Sequence, residues 1–268
     1  MDSRLAERVE LIEKDDRHGA SWLAREAVEA VCEAVELGED PLALAQHIVH
    51  ARPAMGAIAG ALGRVLASGR SKEQIVEEAH ALLEARERAA KAIAVLLTRH
   101  LHGVVMTHSN SATVREAVEH TPPDRVVCTV SAPGEEGREL AEALRGSELA
   151  VDVVDDTDAE HAVGTVDLLL LGADTVFRDG SLVNKVGTAG LAKAAKKASV
   201  PVIVACEVIK LAPEDPRKPG EDRFDLTGPG DIDLFVTEEG EFPPEDIAAL
   251  IDRTPFLHDG YALLLGDQ

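Results

Sequence analysis

In the segments LAERVELIEK, SWLAREAVEAVCEAVE and DPLALAQHIVHA, and again over residues 71–99, apolar residues recur at three and four, as Val28, Val31, Cys32 and Val35 do. That spacing puts one apolar stripe on each helix, so residues 1–102 are predicted to form an all-helical N-terminal domain. After Gly103 the period changes. Short apolar runs at 104–106, 125–130, 149–154, 166–171 and 202–205 are separated by helical segments, among them 111–119, 136–144 and 189–198. This alternation predicts that residues 103–268 form a Rossmann-like α/β domain, a doubly wound parallel sheet with right-handed crossovers. The Pro- and charge-rich stretch 211–230 reads as an extended loop or flap. A late strand at 232–236 and a C-terminal helix at 244–251 follow.

The stretch VDLLLLGADTVFRDGSLVNKVGTAGL, residues 166–191, is where these patterns put the chemistry. Asp174 follows a buried strand directly, at the carboxyl end where open α/β sheets receive ligands. Arg178-Asp179-Gly180-Ser181 reads as a hairpin turn, since Asp-Gly supplies positive φ angles. The returning chain carries Asn184 and Lys185. Gly187 permits close backbone approach, and Thr188 is placed to cap a helix over 189–198, leaving free N–H groups beside Lys185. An ammonium, an amide and a helix N-terminus together suit an anion.

Two breaks in the helical half, DRHGAS at 16–21 and ARPAMG at 51–56, each set an arginine beside a helix start. Arg17, with Gly19 and Ala20 behind it, and Arg52 carry a fork of donors apt for phosphate, although a loop arginine is more often a solvated surface residue. The loop THSNS at 107–111 precedes another helix start, where Ser109 and Ser111 read equally well as helix caps.

Composition narrows the function classes. Aromatic residues make up 3% of the chain, so its core is built from Ala, Val, Leu and Ile. Asp and Glu total 49 against 27 Lys and Arg, a net charge of −22. The acidic residues are dispersed, which argues against direct nucleic-acid binding and points to adaptation to high salt. No apolar run approaches the roughly 18 residues of a membrane span, and the first residues lack a signal-peptide pattern, so a soluble, cytoplasmic protein is expected. Cys32, Cys128 and Cys206 form no metal-binding or disulfide spacing, and no metal site is expected.

Gly172-Ala173-Asp174, the hairpin and the NKVGT run at 184–188 resemble the family that joins ribose-1,5-bisphosphate isomerase, methylthioribose-1-phosphate isomerase and the α, β and δ subunits of translation initiation factor 2B. The resemblance extends over nearly the whole chain and points to an archaeal, salt-adapted member. It implies that Arg17, Gly19, Ala20, Arg52, Asn184 and Lys185 hold the phosphate and hydroxyl groups of a phosphorylated sugar. It further implies that Asp174 handles a proton on oxygen, that no metal or organic cofactor takes part, and that the chain forms a homodimer or larger oligomer.

The match has departures. The isomerases carry a cysteine where Ser109 stands, and a hydroxyl is a far weaker base than a thiolate; His108 is the candidate substitute. Ala132 stands where an arginine is common, and Glu136 replaces a glutamine. That exchange weakens one phosphate site or shifts which ligand fits, unless Glu136 only caps its helix. Two function classes stay open. One is an aldose-ketose isomerase converting ribose 1,5-bisphosphate to ribulose 1,5-bisphosphate. The other is a catalytically silent relative that senses a phosphorylated sugar or nucleotide, or assembles with a translation-factor partner.

Overall fold

Five helices open the computed structural model, which describes residues 2–69 and 71–266. They are α1 (Ser3–Lys14), α2 (Ala20–Leu37), α3 (Pro41–Ala51), α4 (Gly56–Ala67) and α5 (Lys72–Leu97). Their ends follow local chemistry. Asp40 accepts from the N–H groups of Leu42 and Ala43 with Pro41 in the first turn, Ser71 and Gln74 form a reciprocal capping box, and α2 stops at Gly38 in the left-handed region. The predicted stripe is real: Val28, Val31 and Val35 are buried, and Cys32 packs half-buried against the same core. α4 is small and apolar almost throughout, and it sits in the middle of the layer with α2, α3 and α5 around it.

The rest of the chain alternates strand and helix: β1 (Val104–Thr107), α6 (Ala112–His120), β2 (Arg125–Thr129), α7 (Glu136–Gly146), β3 (Val151–Val154), α8 (Asp156–Ala162) and β4 (Leu168–Leu171). A hairpin of β5 (Thr175–Phe177) and β6 (Leu182–Lys185) leads to α9 (Thr188–Lys197) and β7 (Val202–Ala205). Then come β8 (Leu211–Ala212), β9 (Phe224–Thr227), β10 (Leu234–Thr237), β11 (Gly240–Phe242), α10 (Ile247–Asp252) and α11 (Pro255–Leu265). The main sheet runs β11-β10-β7-β4-β1-β2-β3, parallel throughout except for β11 at one edge. This is the doubly wound α/β architecture the alternation implies. Its strand order reverses between β4 and β1, so the loops after these two strands flank the crevice. Side chains along β4 divide by parity: Leu169 and Leu171 enter the core under one face, Leu168 and Leu170 the core under the other.

Three features differ from the sequence expectation. The sequence implied one sheet, whereas the hairpin stands at the centre of a second, β8-β5-β6-β9. Its apolar face, with Phe177, Val183 and Ala212, packs into the helical core. The stretch 211–230 is therefore not a free loop, since both of its ends pair with the hairpin; strands of two and four residues among prolines and charges are too short to show a period. Finally, the C-terminal part holds α11 beyond the expected helix. α11 returns to the helical layer and packs on α4 so closely that a Cβ added to Gly63 would lie 2.7 Å from the Cα of Gly260, and one on Gly260 would lie 2.6 Å from the Cα of Gly63. Among the described residues, no helix is long and apolar enough to cross a membrane.

Candidate functional site

A cleft of about 250 Å³ lies beyond the carboxyl ends of β1 and β4, walled by residues 17–22 and 108–112 and by Asp174, Asn184 and Lys210. A smaller lobe of about 50 Å³ adjoins it and shares Arg17, Gly19, Ser109 and Asp174 while adding Glu136, Lys185 and Arg223. Arg17, Gly19, Ala20, His108, Ser109, Asp174, Asn184, Lys185 and Glu136 thus converge from helices and loops far apart in sequence.

The first wall is the start of α2. Asp15 accepts from the backbone N–H groups of Arg17 and His18, and His18 stacks on Trp22 with ring centroids 3.9 Å apart. This turn leaves α2 without a side-chain cap at Gly19, so its first N–H groups stay open at the cleft. The Arg17 guanidinium has no hydrogen-bond partner among the described residues and lines both lobes. Arg52 does not join it. Its Nη1 donates to the carbonyl oxygens of Glu13 and Asp15, and the side chain is buried behind the cleft wall. Arg52 braces the loop that presents Arg17: its Nη1 is spent on backbone and its Nη2 on Met55 Sδ, which an arginine in a loop sequence does not reveal.

The second wall is the loop after β1. Ser111 caps α6, its Oγ accepting from the N–H of Val114. Ser109 has φ of 68°, a left-handed conformation rare for serine. A chain of hydrogen bonds holds it there. The N–H of Ser109 donates to Ser131 Oγ at 2.7 Å, the Ser131 hydroxyl to Thr129 Oγ1 at 2.7 Å, and the Thr129 hydroxyl to His108 Nδ1 at 2.7 Å, while His108 Nε2–H donates to the Val186 carbonyl at 2.9 Å. Burial lowers the pKa of His108, which matches this neutral tautomer. The expectation that His108 serves as base meets an obstacle: both ring nitrogens are occupied by protein groups.

Asp174 follows β4 and is stitched to the hairpin by its N–H, which donates to Val183 O. Its carboxylate reaches both lobes and takes no hydrogen bond from a described residue. Burial pushes its pKa up from 3.8 to about 6, against the pull of Lys210, Arg223 and Arg52. A carboxyl group so placed exchanges protons near neutral pH. Two of these cations are absent from the sequence expectation. Lys210 is buried, with Nζ donating to Ala173 O at 2.6 Å, and Arg223 reaches the smaller lobe from the start of β9. A lysine inside the apolar run VIKLA is the one signal that would have flagged Lys210.

The third wall departs furthest from expectation. Glu136 does not cap α7; its Oε1 sits 2.7 Å from Lys185 Nζ in an ion pair with both side chains mostly buried. Thr188 does not cap α9 either. It is the first helical residue, its hydroxyl donates to Lys185 O, and Asn184 Nδ2 donates to it. The mouth of α9 is filled by Asp225, whose carboxylate accepts from the N–H groups of Gly187 at 2.8 Å and Ala189 at 3.2 Å. Those N–H groups are therefore not free for a ligand. No group of three or more His, Cys, Asp or Glu placed to hold a metal occurs among the described residues. Cys128 and Cys206 are buried away from the cleft, their thiols pushed up to about 12 by burial.

Comparison with known proteins places the chain in a family and matches its fold. The profile of the Initiation factor 2 subunit family matches residues 16–219. The ribose 1,5-bisphosphate isomerase of Archaeoglobus fulgidus is 29% identical, with the alignment covering 89% of this chain and 90% of that one. A putative translation initiation factor eIF-2B subunit 2-like protein of Pyrococcus furiosus is 30% identical over 76% of this chain and 78% of its own. Among solved structures, the translation initiation factor eIF-2B of Pyrococcus horikoshii OT3 superposes with a TM-score of 0.82 and 26% identity, covering 92% of this chain and all of that one.

Proposed function

Because the chain belongs to the Initiation factor 2 subunit family, we propose that its cleft binds a phosphorylated sugar and that Asp174 is the group that exchanges a proton with it. The observation that carries this reading is Asp174 itself: a carboxyl group with a pKa near 6, open to a cleft that also presents Arg17, Lys210 and the uncapped start of α2. Phosphate would sit at the α2 mouth, where aligned peptide dipoles and the Arg17 fork both favour an anion. A sugar hydroxyl or carbonyl oxygen beside Asp174 could then gain or lose its proton as the double bond of an enediol forms. That is the oxygen half of an aldose-ketose isomerisation.

The carbon half needs a base. Ser109 lies at the correct wall, but no described residue is placed to take its hydroxyl proton, and His108 has no lone pair free. This observation favours a second reading, a ligand-sensing protein without turnover that works as a subunit of a larger assembly.

One experiment separates them. The purified protein in high salt is incubated with phosphorylated pentoses, ribose 1,5-bisphosphate first because it is named in the relatives, and assayed for ketose product. The isomerase reading requires product, abolished by Asp174→Asn. Ligand-induced thermal stabilisation without product supports the sensor, and the absence of both rejects sugar-phosphate binding. We also infer, from the family, a cytoplasmic, salt-adapted homodimer or larger oligomer.

A further inference from the structure

The cations around the cleft differ in what already neutralises them. In the larger lobe Arg17 has no partner among the described residues, Lys210 Nζ donates to a neutral carbonyl, and the start of α2 has no side-chain cap. The smaller lobe, which Arg17 also lines, adds two cations, and each of these carries a carboxylate of the chain's own. Lys185 Nζ lies 2.7 Å from Glu136, and Arg223 Nε lies 3.0 Å from Glu221. A second phosphate entering there would meet the mostly buried carboxylate of Glu136, and like charges at such a site repel. Displacing the carboxylate from Lys185 would not help, because Glu136 Oε2 is already buried without a partner and the whole group would then be stranded. The lobe's 50 Å³ is room for a few waters, enough for hydroxyl groups.

We propose that Glu136 sets specificity as a built-in counter-ion: by neutralising Lys185 it restricts the cleft to a sugar carrying a single phosphate. That phosphate sits in the larger lobe between Arg17, the α2 mouth and Lys210, and the neutral, hydroxyl-bearing end of the sugar faces the Lys185–Glu136 pair. The proposal rests on the sugar-phosphate reading above and narrows it.

Calorimetric titration at high salt with ribose 1-phosphate, ribose 5-phosphate and ribose 1,5-bisphosphate tests it, on the wild-type protein and on Glu136→Gln. Wild type should bind the better monophosphate at least as tightly as the bisphosphate. Glu136→Gln, which keeps the shape and removes the charge, should shift the preference toward the bisphosphate by about tenfold. Tighter binding of the bisphosphate by wild type, or a shift smaller than threefold in the variant, overturns the proposal while leaving the site reading intact. Failure of all three sugars to bind either protein overturns both. Should the variant not fold, the wild-type ratio alone decides.

Discussion

Replacing Asp174 by asparagine should stabilise the protein at neutral pH while removing its proton-exchanging group. In the native state the carboxyl titrates near 6 rather than 3.8, because burial disfavours its charged form. Ionisation in place is therefore less favourable than in the unfolded chain by about 3 kcal/mol, at ~1.4 kcal/mol for each tenfold in acidity. The cleft admits some water to the group, which reduces the effect to about 1–3 kcal/mol.

The sign follows from linkage. A native pKa above the unfolded one gives stability that is complete below pH 3.8, is lost as pH rises to about 6, and is absent above. Asparagine has the shape of the carboxyl and never ionises. The variant should then match wild type near pH 4 and exceed it by about 1–3 kcal/mol at pH 8. Urea unfolding of both proteins at four or five pH values, in high salt, measures the difference. An Asn variant less stable than wild type at pH 8, by a margin that persists down to pH 3.8 and shrinks only below it, would show that Lys210, Arg223 and Arg52 hold Asp174 ionised, and the acid–base role assigned to it would lose its basis.

Other substitutions probe the remaining parts. Arg17→Ala should weaken phosphate-ligand binding at least about tenfold and leave the unfolding midpoint nearly unchanged, since its guanidinium makes no internal bond. Arg52→Met should do the reverse in kind, lowering stability by about 1–3 kcal/mol because Glu13 and Asp15 lose their donors; denaturant titration with ligand calorimetry tells the two apart. Ser109→Cys should raise product formation about a hundredfold on whichever pentose phosphate binds, and an unchanged rate would remove the thiol argument. Thr175→Val should cost about 1–3 kcal/mol in the same unfolding assay. The Thr175 hydroxyl donates to Ala54 O and accepts from Gly56 N, so the change orphans two buried backbone groups.

Much of the fold was legible because its periods are long or strictly placed. The helices of the N-terminal half and the strands of the main sheet announce themselves through repeated apolar positions, and the Asp-Gly turn marks the hairpin. What stayed hidden depends on tertiary partners. Nothing local in Leu211–Ala212 says that two residues extend a second sheet, and α11, mostly apolar but broken by His258, Asp259 and Gly260, only makes sense once α4 is present to receive it.

The site divides along the same line. Asp174, Lys185 and Arg17 were reachable from strand ends and loop motifs. The commitments that decide their chemistry were not: Glu136 on Lys185, Asp225 on the mouth of α9, and the hydroxyl chain that occupies His108. Each joins residues at least 20 apart in the chain, and no spacing rule connects them.

The contact of Gly63 with Gly260 has a consequence for biosynthesis. α4 emerges from the ribosome early, yet the surface it offers to α11 stays bare until some two hundred further residues have been made. During that interval a helix built mostly of Gly, Ala, Leu and Ile presents an uncovered greasy flank to solvent. The nascent protein should be most prone to chaperone capture then, and a ribosome stalled before residue 255 should hold a chain more sensitive to protease around α4 than one stalled after α11 has cleared the exit tunnel.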